Sequence, residues 1–140
     1  KKMPTIFTKP LSQATRQWSD LDLNFEAHPV TKDVTRKLNV EAIKRSVKNL
    51  ILTNKYERLF HPEIGSGLTG LLFELVSPTT AAIVESTIRQ TINNYEPRVI
   101  LNDVLVQGNI DRNGYNVTIN FVTINVLQPV TIEFFLERLR

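Results

Sequence analysis

The sequence predicts an α+β fold in which two amphipathic helices pack on a mainly antiparallel β-sheet within a single domain. Two helical apolar stripes occupy the middle of the chain, β-forming residues crowd its last third, and Asn113-Gly114 lies between two of the β-like runs. At 140 residues the chain has the size of one ordinary domain and can bury a core without cross-links.

Residues 1–17 are polar, broken by Pro4 and Pro10, and show no sustained period, so they read as an N-terminal arm ahead of a domain over residues 18–140. Leu21, Leu23 and Phe25 then alternate with Asp20, Asp22 and Asn24, the period of a half-buried strand that places the apolar residues inward. His28-Pro29 ends it, since proline restricts the residue before it and cannot donate to a ladder.

Val40, Ile43, Val47, Leu50 and Ile51 recur at helical spacing, with Asn39 expected as N-cap and Asn54 near the stop. Arg36, Lys37, Lys44, Arg45 and Lys48 form the opposite face, expected to be solvated. The stretch from Glu57 to Ser77, with Gly65, Gly67, Gly70 and Pro62, reads as a structured loop with one helical turn through Leu71 to Leu75. Ser77-Pro78 is a good helix start, serine as cap and proline at the first helical position. Ala81, Val84, Ile88, Ile92 and Tyr95 supply the buried stripe of this second helix, and Pro97 terminates it.

From Val99 to Val106, and again from Tyr115 to Val126, the chain is β-like, and Asp111-Arg112-Asn113-Gly114 between them suits a tight hairpin. After Gln128-Pro129, Val130, Ile132, Phe134 and Leu136 alternate with Thr131, Glu133, Phe135 and Glu137. This reads as a last strand with Phe135 on its outer face, with a short helix from Thr131 as the alternative.

The formal charge is +3, from 17 basic and 14 acidic residues that are dispersed, so no basic arm points to nucleic acid. No run is long and apolar enough for a membrane span, and no signal-peptide core is visible, which predicts use in cytoplasm or within an assembly. The absence of cysteine excludes disulfides, thiolate metal sites and cysteine nucleophiles.

Gly65-Ser66-Gly67-Leu68-Thr69-Gly70 fits the letters of the dinucleotide fingerprint, with Glu85 downstream, but it follows Pro62 instead of closing a first strand. No Gly-Lys-Ser or Gly-Lys-Thr follows it to cradle phosphate, and the motif reads as a tight glycine loop. His28 and His61 each stand beside a proline without further ligands at metal-binding spacing. No cofactor or metal is therefore expected. Glu57, Glu63, Glu74 and Glu96 could include the carboxylate pair of a glycosidase, although Trp18, the single tryptophan, stands far from them as a sugar platform. In Glu96-Pro97-Arg98 the proline favours an extended corner on which Glu96 and Arg98 share a side, suited to pairing with another chain or with each other.

Linked blocks carry a resemblance: Leu50-Ile51-Leu52-Thr53, Glu57-Arg58-Leu59-Phe60, Pro62-Glu63-Ile64-Gly65-Ser66-Gly67-Leu68, Leu72-Phe73-Glu74 and Glu96-Pro97-Arg98, in that order. From about Leu21 to the C-terminus the chain resembles the contractile-tail baseplate wedge family often labelled gene 25-like lysozyme, which has a counterpart in the type VI secretion baseplate. Tyr56 departs from it, standing where members commonly have glycine. The resemblance implies a non-enzymatic structural protein of a phage-tail baseplate, located in the virion and assembled in host cytoplasm. It implies a sixfold assembly with other wedge proteins and the tail sheath, without nucleic acid or membrane. Glu96, Pro97 and Arg98 would meet the wedge core bundle. Val130, Thr131, Ile132, Glu133, Phe134, Phe135 and Leu136 would pair with a sheath strand and template the first sheath ring, while Phe60, Pro62, Gly65 and Gly67 would shape the central loop. A peptidoglycan-degrading glycosidase of the tail is the alternative.

Overall fold

The computed structural model describes residues 18–22, 25–124 and 126–139; the expected arm over residues 1–17 lies outside them. Strands β1 (Ser19–Leu21) and β2 (Arg36–Leu38) form an antiparallel ribbon, pairing Ser19 with Leu38. Helix α1 (Asn39–Leu52), a 3-10 turn (Leu68–Phe73) and helix α2 (Pro78–Tyr95) follow. The chain ends in a three-stranded antiparallel sheet of β3 (Val99–Asn109), β4 (Gly114–Thr123) and β5 (Val126–Glu137), with β4 in the centre.

The core lies between the helices and one face of this sheet. Ile43, Val47 and Ile51 of α1 and Ala81, Val84, Ile88 and Ile92 of α2 meet Val104, Val106, Tyr115, Val117, Ile119, Phe121, Val130, Ile132 and Leu136 from the strands. Each fully buried aliphatic side chain contributes about 1.5–3 kcal/mol. Helix α2 packs along β3, while α1 packs against α2 and reaches β5. Ala81, Val84, Ile88 and Ile92 of the predicted α2 stripe are buried while Tyr95 is only half-buried, and the helix start is as read: Ser77 Oγ accepts from the Thr80 N–H at 3.1 Å, with Pro78 leading the first turn.

The structure corrects six further local expectations. Leu21 and Phe25 are exposed and Asp22 is buried, the reverse of the expected phase, while Leu23 and Asn24 lie outside the described residues. The ribbon is anchored by charge: Asp22 pairs with Arg45 of α1 and, at 3.2 Å, with Lys37 Nζ, so part of the basic face is not simply solvated. Asn39 is not the N-cap; α1 starts at Asn39, which has φ 49° and donates its N–H to Trp18 O, and the preceding Leu38 offers no side-chain cap. The helical turn sits at Leu68–Phe73, earlier than Leu71 to Leu75, because Ser66 Oγ accepts the Leu68 N–H and starts it there.

The β3–β4 hairpin is not tight. Asn109 pairs with Gly114, leaving a four-residue connection in which Asn113 alone takes the left-handed conformation, at φ 51°. Gly114 is required for a different reason, since a Cβ there would collide with the Leu136 carbonyl and lie 2.5 Å from the Phe135 ring. Finally, β5 begins at Val126 and not at Val130, so Val126 belongs to β5 and not to β4. Pro129 is tolerated inside it because β5 is an edge strand and its register shifts beside that residue. The strand reading of the last segment holds over the helical alternative, and Phe135 is on the outer face, stacked under the Arg112 guanidinium at 4.3 Å.

The loop after α1 is closed on itself by backbone bonds. The Tyr56 N–H donates to Pro62 O at 2.7 Å, the Ser66 N–H to Thr53 O at 2.9 Å, and Ser66 Oγ–H to Ile51 O at 2.6 Å. Gly65, at φ 154°, lies against Asn54, whose backbone carbon would be 2.6 Å from an added Cβ. Tyr56 takes φ 68° with an exposed ring, a backbone state that costs a non-glycine residue about 1–2 kcal/mol. Tyr56→Gly should therefore raise stability by about 0.5–1 kcal/mol after the extra chain entropy of glycine is counted. Urea denaturation checks this, with Tyr56→Ala expected to bring no such gain; destabilisation by glycine would contradict the strain.

Candidate partner-binding site

Helix α2 stops where Pro97 removes a donor, and the chain turns directly into β3. The Glu96 N–H still caps the helix on Ile92 O, and the Val99 N–H returns to Glu96 O at 3.2 Å. The turn places Glu96 and Arg98 on one side, and there they bind each other in a fork: Arg98 Nε donates to Oε1 at 2.5 Å and Nη2 to Oε2 at 2.8 Å. Ser46 of α1 completes the ring, donating to Glu96 Oε2 at 2.7 Å and accepting from Arg98 Nη2 at 3.1 Å. The guanidinium carbon lies over the Trp18 ring, 5.8 Å from its centroid.

Burial divides the pair unequally. Glu96 is 3% exposed, whereas the Arg98 side chain keeps 33% of its surface and Pro97 is exposed. Burial alone would raise the Glu96 pKa, but hydrogen bonds from Arg98 and Ser46 and the Arg98 charge outweigh it and hold the carboxyl below its ordinary value. Hydrogen bonding to Glu96 likewise pushes Arg98 above the usual guanidinium value against its own desolvation. The corner thus displays Pro97 and part of Arg98, with Glu96 as the internal group that aims the arginine.

Ser46 and Trp18 carry no sequence signal of this role; a serine on a helix and a tryptophan before a strand declare nothing until the fold brings them to the corner. The other expected site residues lie elsewhere. Val130 to Leu136 form the C-terminal part of β5, whose outer edge has no strand partner among the described residues. In the central loop, Gly65 and Gly67 hold positive φ angles and the Pro62 carbonyl closes the turn, while Phe60 and its neighbour Leu59 are 90% and 93% exposed at the tip.

Of the other candidate groups, Glu74 is exposed, and Glu57, Glu63, His61 and His28 serve local bonds. Glu57 Oε2 accepts the Asn54 N–H at 2.8 Å, Glu63 sits 3.3 Å from His61 Nδ1, and Tyr95 Oη donates to Glu63 O at 2.8 Å. His28 Nδ1 accepts the N–H groups of Val30 and Thr31, both at 3.3 Å. Among the described residues no group of three or more His, Cys, Asp or Glu could hold a metal ion.

A three-stranded antiparallel sheet with β3 and β5 as its edges, two covering helices and a charged corner define a small α+β module. Residues 38–125 match the family model for baseplate wedge protein gp25. Over 89 residues, 64% of this chain and 67% of the relative, the sequence is 38% identical to baseplate wedge protein gp25 of Enterobacteria phage T4. Two solved structures share the fold. One is a candidate tail lysozyme from Geobacter sulfurreducens, with TM-score 0.65 and 18% identity, covering 70% of this chain and 89% of that one. The other belongs to the sixfold-symmetrised anti-feeding prophage baseplate, with TM-score 0.60 and 21% identity over 85% and 84% of the two chains. The chain belongs to the baseplate wedge protein gp25 family. It is a structural component of a contractile-tail baseplate and of the virion.

Glu96 also sets an acid dependence. The folded carboxyl has the lower pKa, so the unfolded chain takes up the extra proton; its contribution is complete above the ordinary carboxylate value and fades as pH falls through the folded value. Glu96→Gln should cost about 1–3 kcal/mol at neutral pH and flatten this acid limb in urea titrations at several pH values. An unchanged limb would contradict the assignment.

Proposed function

We propose that this wedge protein is non-enzymatic and works through two contacts. The Glu96-Pro97-Arg98 corner holds it to the core bundle of larger wedge proteins. The β5 edge, from Val130 to Leu136, pairs with a strand of the tail sheath, so that the first sheath ring is templated on the baseplate. The chain is then one member of a sixfold assembly of wedge and sheath proteins.

The observation that carries this reading is β5 itself, a 12-residue edge strand whose outward backbone groups have no strand partner among the described residues. An edge of that length is a template for another chain. The corner supports the second contact. Pro97 is exposed, and Arg98 spends Nε and Nη2 inside the chain while Nη1 makes no hydrogen bond among the described residues. An arginine already held in place loses little further freedom on binding. The engagement of Glu57, Glu63 and Glu96 in bonds that hold the loop and the corner favours a structural over a glycosidic role.

Because Glu96 is buried and Arg98 is forked onto it, substituting either disturbs the fold as well as the contact. Arg98 fills the buried Glu96 carboxylate, so the exposed Pro97 carries the test: Pro97→Ala should weaken co-purification with core wedge proteins about tenfold, with little change in melting temperature. In particles carrying the first sheath ring, hydrogen exchange at the outward N–H groups of β5 should slow relative to the isolated protein. Intact co-purification would remove the corner from the account, unchanged β5 exchange would remove the strand pairing, and peptidoglycan clearing lost in a Glu57→Gln/Glu63→Gln variant would restore the glycosidase.

A further inference from the structure

A groove of about 560 Å³ runs between α1 and β5. Lys44 and Lys48 of α1, with Lys37 of β2, line one side of it, and Thr131, Ile132 and Glu133 of β5 line the other. Basic side chains outnumber acidic ones along this lining. Lys37 is shared with the buried Asp22 and Lys44 with Glu41 at 3.0 Å, while Lys48 is exposed and forms no ion pair among the described residues.

A strand added to β5 would lie about 4.8 Å from it, within reach of these lysines. Its side chains alternate, so every second one would turn toward α1. We propose that the strand accepted by β5 carries acidic side chains on the face turned toward α1, where Lys44 and Lys48 meet them. This rests on the edge-pairing reading above and adds the charge of the partner. Opposite charge speeds and orients docking, and like charge repels wrong strands, which protects an open edge from indiscriminate pairing. The chain's own residues 1–17 carry Lys1, Lys2, Lys9 and Arg16 and no acid, the same sign as the groove, and so do not fit the description.

The test uses the full chain and three short synthetic strand peptides of alternating valine with glutamate, glutamine or lysine. Binding is read by fluorescence anisotropy, and the bound edge by amide chemical shifts from Thr131 to Phe135. The glutamate peptide should bind about fivefold more tightly than the glutamine one at low salt, the lysine peptide least, and the preference should vanish in Lys44→Gln/Lys48→Gln or at high salt. Equal binding of all three at β5 would overturn the charge selection and leave edge pairing standing. Absence of any β5 shift would overturn both. A single-stranded oligonucleotide that competes as well as the glutamate peptide would make the groove a general polyanion site and overturn the proposal. So would self-association of the free chain that the lysine variant abolishes.

Discussion

The carboxylate of Glu96 joins three parts of the chain that are far apart in sequence. It ends α2, receives Arg98 at the start of β3 and receives Ser46 from the middle of α1. A carboxylate this deeply buried is tolerable only when its oxygens are filled with good donors. That condition fixes where α1 sits relative to the α2–β3 corner. The position of α1 in turn sets what lies beside β5, because the same helix carries the lysines of the groove and the arginine that anchors the β1–β2 ribbon on Asp22. One buried ion pair therefore aligns both surfaces proposed to meet partners.

The sheet divides its labour in a similar way. Helix α2 covers the inner face along β3, and β4 is paired on both sides, so β3 and β5 are the two edge strands, and the outer edge of β5 lies beside the α1 groove. Long open edges invite unwanted pairing. Here the devices that limit it are local: Pro129, the register shift beside it, and the lysines across the groove. Phe135, on the outer face of β5, lies under the Arg112 guanidinium.

Elements whose signals are local were legible in the sequence. The Ser77-Pro78 start, the Ala81, Val84, Ile88 and Ile92 stripe, the stop at Pro97 and the β-rich last third all follow from capping, periodicity and propensity. Features that depend on tertiary pairing were not. The alternation around Asp22 looked like an apolar strand face, yet a buried ion-pair network with Lys37 and Arg45 outweighed it. Asn113-Gly114 looked like a pair selected for positive φ, whereas Gly114 answers to the close approach of β5. At the candidate site, the corner and its two charges were readable, and so was the option that they bind each other. Ser46 and Trp18, which complete it, were invisible because nothing in their neighbouring residues depends on the contact.

Glu96 and Arg98 act as one unit inside the free protein. A double-mutant cycle on the isolated chain, combining Glu96→Gln and Arg98→Met with unfolding measured in urea, reads that unit out. The expected coupling is about 1–3 kcal/mol. A coupling below about 0.3 kcal/mol would mean that the two charges act separately and that the corner is not a unit.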